Sequence, residues 1–175
     1  MSETLNVIKN RRSYRDFLPE PVPEEIIDAI AEAGTYAASG RNLQSPIIAV
    51  ITNKAVIKML SKINAKVMGK PEDFDPFYGA QTLLVVLADK DNPTHVYDGS
   101  LVMGNMMLAA EDQGVGSCWV HRAREVFEME AAQNILHAFG IFGNFEGIGN
   151  LAVGYPREPI TEAPERKKDY IRYID

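Results

Sequence analysis

Residues 96–113 are the segment that most limits how this 175-residue chain can fold. The stretch has the length of a helix but no clear polar face. Its apolar side chains include Leu101, Val102, Met103, Met106, Met107 and Leu108. A helix that is apolar all round has to be covered, and Gly114 is a residue that commonly ends one. The segment is therefore predicted to be a helix buried inside the domain or at an interface between subunits.

Short β-branched runs alternate with helical stretches along the rest of the chain. The runs predict four strands, at 46–52, 82–88, 115–120 and 148–155. Further helices are predicted over 2–10, from Pro23 to the Ser39-Gly40 pair, from an Asn53 cap to Val67, and over 123–138. Loops are predicted at 11–22 and 69–79, and the last twenty residues form a tail. Alternation of this kind is typical of a parallel α/β sheet.

The composition is that of one globular domain covering residues 1–175, without repeats or a linker. Hydrophobic residues make up 46% of the chain and charged residues 24%, which argues against disorder. The net charge of −6 provides no field that would attract nucleic acid or an anionic membrane. Any anion must therefore be bound by a local basic cluster.

Several features predict a cytoplasmic protein that does not enter a membrane. The single cysteine, Cys118, cannot form an intrachain disulfide, which fits a reducing compartment. The first residues contain no apolar signal segment. No apolar run approaches the ~18–20 residues that a membrane-spanning helix needs.

Common catalytic motifs are missing. The nearest match to a G-x-G-x-x-G dinucleotide fingerprint begins at Gly114 and has Trp119 where the third glycine belongs. No phosphate loop of the G-x-x-x-x-G-K-[ST] type and no G-x-S-x-G elbow is present. The three histidines are not spaced for zinc.

Four clusters remain as candidates for chemistry. They are Arg11-Arg12-Ser13-Tyr14-Arg15, Ser39 to Gln44, Gly114 to Trp119, and Arg166-Lys167-Lys168. Guanidinium groups suit phosphate, and the amides of Asn42 and Gln44 suit the edge of a flat heterocycle. Taken singly, each cluster is also typical of a surface turn, a capping loop or a packed strand. Taken together, they describe a site for a phosphorylated heterocycle, with Cys118 more typical of a small packed residue than of a nucleophile.

At these clusters the chain resembles the flavin-dependent nitroreductase family. The segment RRSYRDF is similar to that family's R-R/H-S-x-R/K-x-F signature, and AASGRNLQSP resembles its P-S/T-x-x-N-x-Q-P segment. DPFYGAQTLLVVLAD, QGVGSCWV and GYP follow in the family's order. The chain departs from the pattern at Ala38, which stands for a proline, and at Ser45-Pro46, which stand for a Pro-aromatic pair.

The resemblance implies an α+β fold, with a mostly antiparallel central sheet wrapped by helices, in an intertwined homodimer. It implies FMN as cofactor, NADH or NADPH as electron donor, and nitroaromatics, quinones or related small molecules as acceptors in ping-pong hydride transfer. The antiparallel sheet that it implies replaces the parallel sheet that alternation alone would favour.

The resemblance also assigns site residues. Arg11 matches the ligand of the FMN phosphate, and Ser13 matches a phosphate or ribityl contact. Arg15 matches the cation near flavin N1 and O2, and Arg12 aligns with a flavin-side position. Ser39 and Asn42 would face the ring from the partner subunit. The remaining assignments are His121 and Arg122 beside flavin N5, Arg166 and Lys168 as phosphate ligands from the tail, and Phe77 and Tyr78 on the substrate side. No residue is assigned as a catalytic acid, base or nucleophile, and no metal is expected.

Two other kinds of function fit the same motifs. One is another enzyme of the family, such as a dehalogenase. The other is a flavin-binding sensor or storage protein without turnover. A structural interaction domain without flavin is the third reading, and it predicts a colourless protein.

Overall fold

The computed structural model describes residues 2–160 and 162–174. A 3₁₀ turn at Gly40–Asn42 precedes the first strand. The elements in chain order are α1 (Glu3–Asn10), α2 (Glu24–Thr35), β1 (Ile47–Ile51), α3 (Lys54–Val67), β2 (Thr82–Asp89), α4 (His95–Asp112), β3 (Gly116–Val120), α5 (Ala123–Phe127), α6 (Glu130–Ala138) and β4 (Phe145–Gly154).

Helix starts follow the residues that the sequence offers. The Asn53 side chain accepts hydrogen bonds from the amides of Ala55 and Val56, as a helix N-cap does. Helix α2 begins just after Pro23 with two glutamates in its first turn, where they face the positive end of the helix dipole. It ends at Thr35, earlier than predicted, so that Ser39 belongs to a separate loop.

The single helix predicted over 123–138 is wrong, because two short helices occupy this stretch. Met129 has an extended backbone, with φ −83° and ψ 133°, and separates α5 from α6. The Gln133 side chain donates to the Phe127 carbonyl at 3.2 Å, which closes the end of α5. The break allows both Phe127 of α5 and Leu136 of α6 to reach the same apolar core.

The four strands form one sheet in the order β1-β2-β4-β3, and every neighbouring pair is antiparallel. The parallel sheet favoured by alternation is therefore wrong, and the antiparallel α+β fold is confirmed. The reason lies in the last strand. Strands β2 and β3 run in the same direction, and α4 connects them along the chain. In the sheet, β4 lies between β2 and β3 and runs antiparallel to both.

The sheet is covered on both faces by two apolar clusters. On one face α3, α5 and α6 pack against Leu83, Val85 and Leu87 of β2. On the other face α2 and α4 pack against Leu84 and Val86. All residues of β2 from Thr82 to Ala88 are buried, as expected of a strand between two layers.

Helix α4 is only half covered within the chain. Met103 and Met106 are fully buried against the sheet. Val96, Tyr97 and Leu101 are 41%, 73% and 50% exposed. No helix among residues 2–160 and 162–174 has the length and apolar character needed to cross a membrane.

Candidate functional site

The segment 11–15 lies along the free edge of β3. Ser13 forms a parallel bridge with Ser117, and the Tyr14 amide donates to the Ser117 carbonyl at 3.1 Å. A Cβ built at Gly116 would lie 2.8 Å from the Tyr14 ring. Gly116, the second glycine of the QGVGSCWV motif, is therefore needed for the close approach of this segment to β3.

Two guanidinium groups of this segment have no carboxylate partner among the described residues. Arg11 is half-buried at the end of α1, where its amide donates to the Val7 carbonyl, and its Nη1 lies 3.4 Å from the Ser13 hydroxyl. Arg15 is exposed. Free guanidiniums beside a hydroxyl are a donor set that suits phosphate.

Cys118 lies near these cations but on the buried side of β3. Burial raises the pKa of its thiol, and the positive charges of Arg15 and Arg11 only partly oppose this effect. The side chain is 2% exposed and belongs to the core. A neutral, buried thiol packs as a small apolar residue and is a poor nucleophile.

Arg12 uses its guanidinium differently from its neighbours. Its Nη1 donates to the carbonyls of Lys9 and Arg11, at 2.8 and 2.9 Å, and its Nε donates to the Glu162 carbonyl at 3.2 Å. These bonds join the end of α1 to the C-terminal tail. The assignment of Arg12 to the flavin side stays a prediction, since the structure places the group on backbone carbonyls.

The C-terminal tail returns along the N-terminal loop. Phe17 and Pro156 form an antiparallel bridge, and the Arg157 amide donates to the Asp16 carbonyl at 3.1 Å. The Arg157 and Asp16 side chains form an ion pair at 3.1 Å. The start of the tail therefore lies beside the N-terminal loop.

The basic residues of the tail make no hydrogen bond to the segment 11–15 in the described part of the chain. Arg166 donates to the Pro164 carbonyl at 3.0 Å, and its side chain and that of Lys168 are exposed. Among the described residues, no hydrogen bond joins either of them to Arg11. Their role as phosphate ligands stays a prediction.

The loop at residues 39–44 is organised by its own side chains. The Ser39 hydroxyl accepts from the Gln44 amide at 2.9 Å, and the Gln44 side chain donates to Asn42 Oδ1 at 3.1 Å. Asn42 is exposed, and because its Oδ1 accepts from Gln44, its Nδ2 is the end of the amide that can still donate. This is the end of the amide that could donate to the edge of a heterocycle.

The segment that follows β3 contains His121 and Arg122. His121 is exposed, and Arg122 caps α5 with a left-handed backbone. The Asn64 side chain of α3 lies 3.5 Å from the His121 carbonyl through its Nδ2. The segment is thus supported from behind by a residue that is fully buried.

Phe77 and Tyr78 differ in placement. Phe77 is 1% exposed and packs in the core, so its prediction as a substrate-lining residue requires correction. Asp75 shapes this turn by accepting from the amides of Phe77 and Gly79, at 3.0 and 2.7 Å. The buried Phe77 anchors the turn, and the half-buried Tyr78 is the residue left at its surface.

Backbone strain independently marks the same regions. The non-glycine residues with a left-handed backbone in the described chain are Arg41, Asn42, Gln44, Tyr78 and Arg122, with φ between 50° and 76°. Each such conformation costs on the order of 1–3 kcal/mol and concentrates at functional sites. The first four fall in segments that the sequence motifs singled out, and Arg122 is a residue that the family resemblance assigns to the cofactor site.

The loop 39–44 and the segment 11–15 flank opposite edges of the sheet. The loop leads into β1, whereas the segment lies against β3. With β2 and β4 between them, the two edge strands are about 14 Å apart at ~4.8 Å per strand. Among the described residues, no hydrogen bond connects the two clusters within one chain.

Comparison with known proteins gives the family. A profile of the nitroreductase family matches residues 8–155. This chain belongs to the nitroreductase family. A protein of Archaeoglobus fulgidus, provisionally named an NADH dehydrogenase/NAD(P)H nitroreductase, is 28% identical over 95% of this chain and 94% of its own. An FMN reductase (NADPH) of Bacillus subtilis is 24% identical over 98% of this chain and 73% of its own.

Solved nitroreductase structures have the same architecture. A nitroreductase with bound FMN from Bacteroides fragilis has a TM-score of 0.92 and 26% identity, and the alignment covers both chains completely. A second FMN-bound nitroreductase, from Desulfitobacterium hafniense, has a TM-score of 0.88 and 26% identity with the same coverage. The family and fold implied by the sequence resemblance are both confirmed.

One departure of this nitroreductase from the family pattern has a structural explanation. The hydroxyl of Ser45, where a proline is frequent, accepts a hydrogen bond from Asn92 Nδ2 at 2.9 Å. The serine therefore attaches the loop 39–44 to the turn before α4. Nothing in the structure explains Pro46 in place of an aromatic residue.

Two buried polar residues of the site region were missed from the sequence. Asn64 is fully buried, and its Oδ1 has no hydrogen-bond partner. Asp98 is 3% exposed in the first turn of α4 and accepts from the Gly40 amide. The sequence signal was a polar residue within an otherwise apolar helical stripe, which becomes meaningful only once the neighbouring loop is known.

Proposed function

We propose that this nitroreductase-family protein is an FMN-dependent oxidoreductase that uses NADH or NADPH to reduce nitroaromatics, quinones or related small acceptors. FMN, when bound, supplies the centre that accepts a hydride from the donor and passes reducing equivalents to the acceptor. The observation that carries the proposal is the pair of guanidiniums, Arg11 and Arg15, that flank Ser13 and have no carboxylate partner among residues 2–160 and 162–174.

The residues present fit this cofactor. Arg11 and Ser13 are the proposed phosphate ligands, since charge-assisted hydrogen bonds of this kind contribute about 1.5–3 kcal/mol each. Arg15 supplies a positive charge that stabilises the negative charge arriving with a hydride. The further cofactor contacts proposed are Arg12, Ser39, Asn42, His121, Arg122, Arg166 and Lys168.

The site is proposed to form between two copies of the chain. The loop 39–44 and the segment 11–15 belong to opposite edges of the sheet, so Ser39 and Asn42 are proposed to act on the partner's cofactor. The exposed apolar residues of α4, including Tyr97 and Leu101, provide a surface for that partner. The tail adds exposed Ile171 and Tyr173.

No side chain is required as a nucleophile or a general base. Cys118 is neutral and buried, and the described residues contain no cluster of three His, Cys, Asp or Glu that could hold a metal. The work of the chain is to bind the cofactor, orient it and provide charge. Tyr78 is proposed to border the acceptor. A cytoplasmic location is proposed because a single cysteine cannot form an intrachain disulfide and fits a reducing compartment.

Turnover with a quinone tests the proposal. The purified protein is expected to be yellow and to oxidise NADH or NADPH steadily when menadione is added. Arg11→Ala should weaken FMN binding by about 1.5–3 kcal/mol in a fluorescence titration. Arg124→Ala is the matched control, because Arg124 pairs with Glu128 on α5 and lies outside the cluster.

Two results would contradict the proposal in different ways. A bound flavin whose colour neither NADH nor NADPH bleaches would indicate a sensor or storage protein. A colourless protein without FMN affinity would indicate an interaction domain. Equal FMN affinities of the Arg11→Ala and wild-type proteins would remove Arg11 from the phosphate site.

A further inference from the structure

The helix α4 contains a carboxylate that its apolar sequence does not explain. Asp98 lies in the first turn of the helix and is 3% exposed. No lysine, arginine or histidine forms an ion pair with it among the described residues. A buried carboxylate is costly unless hydrogen bonds satisfy both of its oxygens.

Three donors satisfy Asp98. Its Oδ1 accepts from the Gly40 amide at 3.0 Å. Its Oδ2 accepts from Asn92 Nδ2 at 2.9 Å and lies 2.9 Å from the Thr94 hydroxyl, whose single proton is shared between this oxygen and Asn92 Oδ1 at 3.0 Å. One of these donors belongs to the strained loop 39–44, and the other two belong to the turn that precedes α4.

The same network holds the far end of the loop. Asn92 Nδ2 also donates to the Ser45 hydroxyl at 2.9 Å, while Asn92 Oδ1 accepts from the Thr94 amide at 3.2 Å. The loop is therefore anchored at Gly40 and at Ser45. Both anchors converge on Asn92 and Asp98.

Packing gives the loop little other support. A cavity of about 440 Å³ lies between the loop and the helices α2 and α4, lined by Ser39, Gln44, Asp98 and Val102 among others. At Gly40 the fit is close, because a Cβ there would lie 2.3 Å from the Thr94 hydroxyl oxygen. The hydrogen bonds at Gly40 and Ser45 thus hold both ends of the loop that contains the left-handed residues.

We propose that Asp98 is the positioning residue for the flavin-facing loop: its carboxylate holds Gly40 and, through Asn92, Ser45, so that Asn42 is presented to the isoalloxazine ring bound by the partner subunit. The proposal rests on the proposed function, since it needs FMN as the ligand. Asp98 touches neither cofactor nor substrate and acts only through the loop.

The network requires an acceptor at both oxygens of residue 98. Carboxylate oxygens only accept, whereas an amide carries a donor at one end. In Asp98→Asn, either orientation of the new amide directs its NH₂ at a donor, which is the Gly40 amide in one orientation and Asn92 Nδ2 in the other. The substitution preserves the shape of the side chain and removes one of the two hydrogen-bond acceptors that the network needs.

The experiment compares Asp98→Asn with Asp112→Asn, an exposed aspartate at the other end of the same helix. Affinities for FMN and for riboflavin are measured by fluorescence titration of the apoprotein. Trypsin cleavage after Arg41, followed by mass spectrometry, reports release of the loop. Thermal unfolding confirms that both variants are folded.

Asp98→Asn is expected to weaken FMN and riboflavin by the same factor, about tenfold, which corresponds to ~1.4 kcal/mol. The factor is the same because the loop contacts the ring, which FMN and riboflavin share. Arg11→Ala should weaken the binding of FMN and leave that of riboflavin unchanged, because riboflavin has no phosphate. Cleavage after Arg41 should become faster in Asp98→Asn and stay at the wild-type rate in Asp112→Asn.

Faster cleavage with unchanged flavin affinity would overturn the proposal, as would unchanged cleavage. If Asp98→Asn does not fold, Ser45→Ala is used instead, because it removes the second anchor. Ser45→Ala should weaken the binding of both flavins several-fold and make cleavage after Arg41 several-fold faster. Unchanged flavin affinity or unchanged cleavage in Ser45→Ala would contradict the proposal. Wild-type protein that binds neither flavin would refute the proposed function, and the cleavage assay would then still report on the loop alone.

Discussion

The three arginines between residues 11 and 15 have different surroundings, although they are almost adjacent in sequence. Arg12 donates to three backbone carbonyls, so its hydrogen-bonding capacity is largely used by the fold. Within the described part of the chain, the one hydrogen-bond partner of the Arg11 side chain is the Ser13 hydroxyl, and Arg15 stays exposed. A free guanidinium retains its donors for a ligand. Arg11 and Arg15 are therefore better candidates for anion binding than Arg12.

The buried thiol gives a prediction at the same scale. Because burial raises the pKa of Cys118 in the folded chain above its usual 9.0, the unfolded chain ionises first as the pH increases. The thiol then favours unfolding from about pH 9 upward. Cys118→Ala should cost about 1 kcal/mol of unfolding free energy at pH 8 through lost packing.

This difference in stability between the wild type and Cys118→Ala should narrow from pH 8 to pH 10, measured by thermal unfolding. The two proteins differ only at residue 118, so the difference in stability isolates the thiol. A difference in stability that is constant with pH would show that the pKa of Cys118 is not raised in the folded chain. Rapid alkylation of the native thiol at pH 8 would show that the side chain is accessible.

Single residues were predictable from the sequence where the chemistry is local. Arg11 and Ser13 could be singled out as candidates because their donor types and spacing suit phosphate, and their binding of phosphate stays a prediction. Asp98 and Asn64 could not, since their meaning comes from the loop and the carbonyl that the fold brings to them. Phe77 was misplaced for the same reason, because the local sequence of an aromatic residue in a loop does not distinguish a core position from a pocket position.

At the scale of elements, the strands were predictable and their directions were not. Apolar runs located β1, β2 and β3 within a residue or two, since a strand buried on both faces is apolar throughout. Direction depends on where β4 inserts, and no local pattern contains that information. The long apolar helix was predicted from its pattern, but only the fold shows that one of its faces stays uncovered.

The contact between β4 and α5 gives a prediction at this scale. A Cβ at Gly147 would lie 2.4 Å from the Ala123 carbonyl oxygen, which is backbone and cannot turn away. Gly147→Ala should therefore displace α5 and cost about 1–3 kcal/mol in urea unfolding. FMN affinity should fall with it, because Ala123 directly follows His121 and Arg122.

A double variant separates backbone from side-chain crowding. Phe127 also lies 2.9 Å from the added Cβ, but its ring can be shortened. Gly147→Ala with Phe127→Leu should not regain the lost stability, since the carbonyl contact remains. Recovery in the double variant, or an unchanged urea midpoint in Gly147→Ala, would show that α5 is not fixed by this contact.

At the scale of the whole molecule, one chain holds two halves of the proposed site at opposite sheet edges. Two copies can each combine a segment 11–15 with the other's loop 39–44. The uncovered face of α4 gives those copies an apolar surface, and burial of apolar area stabilises association by roughly 25 cal/mol per Å². Dimerisation and cofactor binding should therefore depend on each other.

That dependence can be tested with two residues that are equally exposed in the single chain. Leu101 on α4 and Met59 on α3 are each 50% exposed. Leu101→Asp places a charge on the proposed interface, where desolvation opposes its burial, whereas Met59→Asp places the same charge on a helix rich in lysine. Leu101→Asp should shift the protein toward monomer in analytical ultracentrifugation and lower FMN affinity at least tenfold, while Met59→Asp should change neither. A Leu101→Asp monomer that binds FMN as the wild type does would place the whole site within one chain and refute the shared arrangement.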